Sequence, residues 1–319
     1  MDFNQEQIEN LHGYLRTYLG ETVCAALEDP TVTEIKCSED GAVWLMKHGE
    51  GWVNTGTGLS EDDRRLAIQE MASLLGKTIN HDSPNLSGEL PLTGDRVSAS
   101  VWPSGAPAFF IRIHAPEVFS FRDYLAKKIL RDWQVNVLIE HIFGRSNIVF
   151  AGATNSGKTT ILNTCLGELR DLNEHIVLIE DTKEIQFEGR NFSRFYTSDT
   201  VSMRDQVKES MRRKPDRLII GEVRDGAALE MLKAFQKGHR GCMATVHADS
   251  ATGTLKNLLY LCREGGASDA WDLIRDAIDL VVYMEMTEQG RRVKELMEVE
   301  HDQDLDTIPI KLKSLTGKE

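Results

Sequence analysis

Two periods of apolar residues alternate along the first 130 positions. Ile8, Leu11, Leu15 and Leu19 recur at helical spacing. A second helix is expected after Ser60, whose hydroxyl can cap a start followed by Glu61, Asp62 and Asp63, and which turns Leu66, Met71, Leu74 and Leu75 inward. Between these helices the period shortens to that of strands. Val32–Cys37 and Ala42–Lys47 flank Ser38-Glu39-Asp40-Gly41, and an Asp-Gly turn between two such runs predicts a hairpin. A second hairpin is expected from 96–101 and 108–114 around Pro103-Ser104-Gly105. This half reads as an α+β domain on an antiparallel sheet.

After Phe121 the pattern changes. An amphipathic stretch over 132–143 gathers Trp133, Val137, Leu138 and Ile142 on one side. Short, wholly apolar runs then alternate with helical segments at 148–151, 176–179, 218–220, 243–246 and 280–286. Strands that are apolar on both faces and separated by helices predict a largely parallel sheet covered on both sides. The expected organisation is a smaller N-terminal α+β domain over 1–120, a linker over 121–131, and an α/β domain over 132–319. The segment from His301 is polar apart from a short strand expected at 308–312. No internal repeat or low-complexity tract is apparent.

Composition changes this picture little. The chain has 319 residues, 41% hydrophobic and 27% charged, an ordinary globular balance with room for about two cores. No apolar run approaches the roughly 18 to 20 residues needed to cross a bilayer, and the N-terminal residues are acidic and polar, so a cytoplasmic protein, at most peripheral to a membrane, is expected. Cys24, Cys37, Cys165, Cys242 and Cys262 form no C-x-x-C pair, which argues against a zinc site or a disulfide framework. The net charge of −13 gives no signal for electrostatic gripping of nucleic acid and favours protein partners.

The chemistry is concentrated after the first parallel strand. Gly152, Ala153, Thr154, Asn155, Ser156, Gly157, Lys158 and Thr159 spell G-x-x-x-x-G-K-[ST], followed by Thr160, between an apolar strand and a helix-like segment. Glycines let the backbone turn its amides toward phosphate, Lys158 brings a point charge, and the Thr159 hydroxyl suits magnesium. The helix beginning near Thr159 adds the positive end of its dipole. A phosphoryl-transfer site also needs carboxylates for the metal and the attacking water. Two apolar strands end in acids, at Glu222 and at Glu180-Asp181 with Glu184 beyond, and His247 closes a third. Strand C-termini are where such sheets present ligand-binding groups.

GATNSGKTT, IEDTKEIQ at 179–186, RKPDRLIIGEVRD at 213–225 and KGHRGCMATVHADSATGT at 237–254 resemble, in order and spacing, the Walker A, aspartate, Walker B and histidine boxes of the secretion and traffic ATPases. The branch most resembled is that of type IV secretion and conjugal DNA transfer, the TrbB type, and ALEDPTVTEIKCSEDGAVWL and DAIDLVVYME extend the likeness over nearly the whole chain. The resemblance implies a hexameric ring, in which an N-terminal domain and a RecA-like C-terminal domain enclose ATP and magnesium. It implies that Glu222 polarises water, that Glu180 and Glu184 act near magnesium and water, and that His247 senses the γ-phosphate or couples hydrolysis to motion. It also implies nucleotide contacts from Arg96 and Arg112, and leaves open whether Arg224 or Arg240 acts across a subunit boundary. Thr159, Glu180 and Glu222 are the expected metal-site residues. Partners implied are other cytoplasmic and inner-membrane components of the secretion system.

Two other readings stand beside a conjugation motor. A type IV pilus or type II secretion motor shares the boxes, but its extension members often carry a cysteine-rich insertion, and the wording VHADSA favours the conjugation branch. A nucleotide-gated scaffold with negligible hydrolysis would not need both Lys158 and Glu222.

Overall fold

The computed structural model describes residues 5–47, 50–91, 93–113, 118–198, 200–236, 238–287, 290–300 and 311–315, the side chains of 5–12 and 311 excepted. The chain divides into two units, Met1–Pro116 and Glu117–Glu319.

The first unit contains α1 (Gln5–Glu28), β1 (Val32–Cys37), β2 (Ala42–Lys47), β3 (Gly51–Gly58), α2 (Glu61–Leu74), β4 (Asn85–Glu89), β5 (Arg96–Ser100) and β6 (Ala108–Arg112). Its strands form an antiparallel sheet in the order β3-β2-β1-β6-β5-β4. Both expected hairpins are present. Alternation decides which face is buried: Ile35, Cys37, Val43, Val97, Phe109 and Ile111 join Leu15, Leu19 and Val23 of α1 and Ile68 and Met71 of α2 in one core. Ser60 caps α2 through the Asp63 amide at 3.1 Å, as its sequence predicts. The inward face of α2 is Ala67, Ile68, Met71, Ala72 and Leu74; Leu66 is only half-buried. Ile8 and Leu11, expected on the inward face of α1, and His114 lie outside the described side chains.

The second unit contains α3 (Phe121–Ala126), α4 (Asp132–Phe143), β7 (Ile148–Gly152), α5 (Lys158–Gly167), β8 (Ile176–Glu180), β9 (Phe192–Tyr196), α6 (Met203–Met211), β10 (Arg217–Val223), α7 (Ala227–Gln236), β11 (Met243–His247), α8 (Ala251–Glu264), α9 (Trp271–Ala277), β12 (Leu280–Thr287), β13 (Gly290–Glu300) and β14 (Lys311–Ser314). The sheet order is β14-β13-β12-β7-β11-β10-β8-β9, parallel from β12 to β9 and antiparallel from β12 to β14. Alternate residues of each central strand feed two cores. Val149, Val177, Ile220 and Val246 meet α6 to α9 on one face. Ile148, Phe150, Leu178 and Ile219 meet α3, α4 and α5 on the other. The α/β class with a mostly parallel sheet, beside a smaller α+β unit, is therefore as the sequence indicates.

Segment 121–131, read from sequence as a linker, gives Phe121, Tyr124 and Leu130 to the second of these cores. The short strand expected at 308–312 is found over Lys311–Ser314; 308–310 lie outside the described residues.

Candidate functional site

The sheet order builds the site. β7, β11, β10 and β8 are successive neighbours, so their C-terminal ends bring the loop 152–159, His247, Glu222 and the 180–186 segment to one edge. Gly152 closes β7 opposite Met284 of β12. A Cβ on Gly152 would stand 2.4 Å from the Met284 carbonyl oxygen and 2.5 Å from Ser156 Oγ, so no side chain fits there. Asn155 and Gly157 turn through positive φ, 62° and 96°, and α5 begins at Lys158, directly after the loop, with first-turn amides that have no acceptor within the helix.

Lys158 is 7% exposed, and its ammonium donates to the carbonyls of Gly152 at 3.1 Å and Ala153 at 2.9 Å. It also stands 3.3 Å from His247 Nδ1, while His247 Nε2 lies 2.8 Å from Glu222 Oε1. A carboxylate accepts and an ammonium donates, so the neutral imidazole with its proton on Nε2 satisfies both contacts at once. The other Glu222 oxygen takes Arg224 Nη2 at 2.5 Å, and Arg224 Nη1 reaches Asp181 at 3.3 Å. An unbroken polar chain thus runs from Asp181 through Arg224, Glu222 and His247 to Lys158. Burial works against charge on Glu222, but the Arg224 hydrogen bond and the charges of Arg224 and Lys158 outweigh it and hold the carboxyl below its usual range.

Glu180 is placed otherwise. Its side chain is almost fully buried; one oxygen accepts the Glu184 and Ile185 amides at 2.9 and 2.7 Å, and the other pairs with Arg194. Burial, the largest influence, raises its pKa despite these donors. Both oxygens of Glu180 are thus engaged in shaping the loop after β8, and Asp181 is the acid that joins the ionic chain. Asn163 of α5 clamps the same loop, donating to Glu184 O at 2.9 Å and accepting from Gln186 N at 3.1 Å. This sets Glu184 beside the P-loop, with Thr159 Oγ1 3.4 Å from its carboxylate. His247 is fixed by its own carbonyl, which accepts from Asn257 Nδ2 of α8 at 2.8 Å.

The remaining expected residues belong to other elements. Arg96 and Arg112 face each other across β5 and β6 in the first unit, and Arg112 Nε pairs with Glu34 at 3.2 Å. Arg240 bonds Asp279 at 3.0 Å, ahead of β11 and β12, at the opposite end of the strands from His247. Sequence reasoning did not single out Arg194, Asn163 or Asn257, which act from β9, α5 and α8 outside the four boxes.

The residues suit a magnesium nucleotide. Ser156 Oγ is buried without a hydrogen-bond partner, the Gly152 cradle excludes a side chain, and Thr159 and Glu184 offer the hard oxygens that magnesium prefers. Among the described residues no group of three or more His, Cys, Asp and Glu could hold a metal unaided. A magnesium ion here would share its coordination with phosphate oxygens and water.

Residues 106–303 match the family described as Type II/IV secretion system protein. The chain belongs to that family. The resemblance to traffic ATPases of the TrbB type is borne out by relatives. Conjugal transfer protein TrbB of Rhizobium radiobacter is 37% identical over 289 residues, covering 90% of this chain and 89% of its own. Type IV secretion system protein VirB11 of Bartonella quintana is 27% identical, covering 86% and 90%. Among solved structures, the DotB ATPase of Yersinia pseudotuberculosis aligns with a TM-score of 0.63 at 18% identity, covering 87% of this chain and 78% of that one. The pilus retraction motor PilT, solved with ADP, aligns at 0.60 and 20% identity, covering 87% and 80%. At these identities the two structures speak for a shared fold. No helix of this secretion-family chain, among the described residues, is long and apolar enough to cross a membrane.

Proposed function

We propose that this chain is an ATP hydrolase of a type IV secretion system, working as a homo-oligomeric ring of six to drive conjugative pilus assembly or substrate transfer. The observation that carries the reading is the contact of Lys158 with His247 and of His247 with Glu222, at 3.3 and 2.8 Å, beside the phosphate loop. The name of its TrbB relative supports conjugation as the setting.

Gly152 to Thr160 cradle phosphate, with Lys158 exchanging its two carbonyl partners for phosphate oxygens. Thr159 would hold a magnesium ion, with Glu184 and Glu222 nearby, and the ion would supply charge neutralisation on the phosphate oxygens. Glu222 accepts hydrogen bonds from the attacking water, and His247 relays the position of Lys158 to Glu222. Glu180 contributes by shaping the loop that carries Glu184. Arg96 and Arg112 are further nucleotide contacts. Other secretion components at the cytoplasmic side of the inner membrane are the partners, with peripheral membrane contact through them.

The test is ATP turnover and binding by wild type, Glu222→Gln and Lys158→Ala, with the particle mass measured with and without ATP. Expected are turnover in the wild type, retained binding without turnover in Glu222→Gln, loss of binding in Lys158→Ala, and a mass near six chains. Equal turnover in wild type and Glu222→Gln would exclude Glu222 from the chemistry, and a monomer at every nucleotide concentration would exclude the ring.

A further inference from the structure

The β12–β13 hairpin outruns the strand beside it. β7 stops at Gly152, opposite Met284, yet the hairpin continues through the pairs Glu285–Arg292, Met286–Arg291 and Thr287–Gly290. Those pairs therefore flank the phosphate loop. Arg291 Nε donates to the carbonyl of Asn155 at 3.0 Å. Its stem lies over Gly157, where an added Cβ would meet Arg291 Cδ at 3.1 Å and Met284 Cε at 3.4 Å.

The hairpin is itself anchored. Val293 N donates to Ile129 O at 3.1 Å, and Gln134 Nε2 of α4 donates to Val293 O at 3.2 Å. Asn155, by contrast, holds φ at 62°, in the left-handed region that disfavours residues carrying a Cβ, asparagine less than most. A hydrogen bond to its carbonyl from a fixed platform offsets that cost and limits the loop to one shape. A binding loop ordered in advance loses less entropy when its ligand arrives.

We propose that Arg291 is a positioning residue for nucleotide, holding Asn155 from the β12–β13 hairpin so that the loop amides are oriented before phosphate binds. This rests on the nucleotide-binding reading above. The guanidinium acts through the Nε bond and the stem, so lysine, which keeps the charge but has no Nε donor at that place, does not replace it.

Two measurements test it on full-length wild type, Arg291→Ala and Arg291→Lys. The first is equilibrium binding of fluorescent ADP and ATP together with steady-state turnover. The second is amide hydrogen exchange at 153–157 in nucleotide-free protein. Both variants should bind nucleotide roughly tenfold more weakly, raise KM with kcat changed less than about twofold, and exchange the loop amides faster while the amides of β7 and β11 are unaltered. Wild-type affinity in Arg291→Lys would overturn the proposal by assigning the effect to charge, and unchanged loop exchange in Arg291→Ala would overturn it outright. A wild type that binds no nucleotide would instead sink the nucleotide reading, while exchange in nucleotide-free protein would still report whether Arg291 orders the loop.

Discussion

The two ends of the second unit's sheet carry comparable ionic networks built to opposite ends. At the N-terminal ends of the strands, Glu174 pairs with Arg145 and Arg217. Arg217 is 1% exposed and also donates to the carbonyls of Ile142 at 2.9 Å and Gly241 at 3.3 Å, while Arg145 donates to Asp216 O at 2.8 Å. Each partner is a fixed part of the fold. At the C-terminal ends, Lys158 rests on two loop carbonyls that phosphate oxygens could replace, Ser156 Oγ has no partner, and Glu222 is shared between an arginine and a histidine. The same strands support both, so burial and charge alone do not mark a functional site. Partners that a ligand can substitute do.

Three measurements on two variants would break or sharpen this contrast. Glu222→Gln should lower turnover by roughly 10²- to 10⁴-fold, the usual worth of a group that handles a proton in the transition state, with the melting temperature little changed. Arg217→Ala should do the reverse, costing about 3–5 kcal/mol in denaturant unfolding because Glu174 loses a buried partner, with nucleotide affinity of the folded fraction retained. A stable Arg217→Ala protein with impaired binding would erase the distinction between the two ends. The smallest effect is on acid stability. The Glu222 carboxyl is held below its ordinary value of 4.5, so its contribution is present above that value and lost as pH falls through the folded pKa. Below pH 4.5 the melting temperature of Glu222→Gln should therefore fall less steeply than that of wild type. Identical slopes would show that the groups around Glu222 do not favour its charge.

Much of this was legible in the sequence where pattern and chemistry coincide. The phosphate loop, Glu222 and His247 each end an apolar strand, and those strands are neighbours in the sheet. Glu180 misleads because it also ends such a strand. Period two resolves it: Glu180 falls on the face of Ile176 and Leu178, toward the core under α5, and Asp181 falls on the other. β13 escaped notice because its buried residues Val293, Leu296 and Val299 are three apart, a spacing that imitates a helix. The register shift opposite Tyr283 and Met284 explains the first interval, since one extra residue in β13 returns Leu296 to the face of Val293. With β9 and β13 unseen, Arg194 and Arg291 had no place in a local motif.

The cradle at Gly152 has a genetic corollary. The atom nearest to an added Cβ is the carbonyl oxygen of Met284, which a residue of any type at 284 would carry. A Gly152→Ala lesion could therefore not be relieved by making residue 284 smaller. Suppressors would have to shift the β12 backbone itself, and since Ser156 Oγ stands 2.5 Å from the same point, a selection should return changes along that hairpin together with a smaller residue at 156, and no single side-chain change at 284.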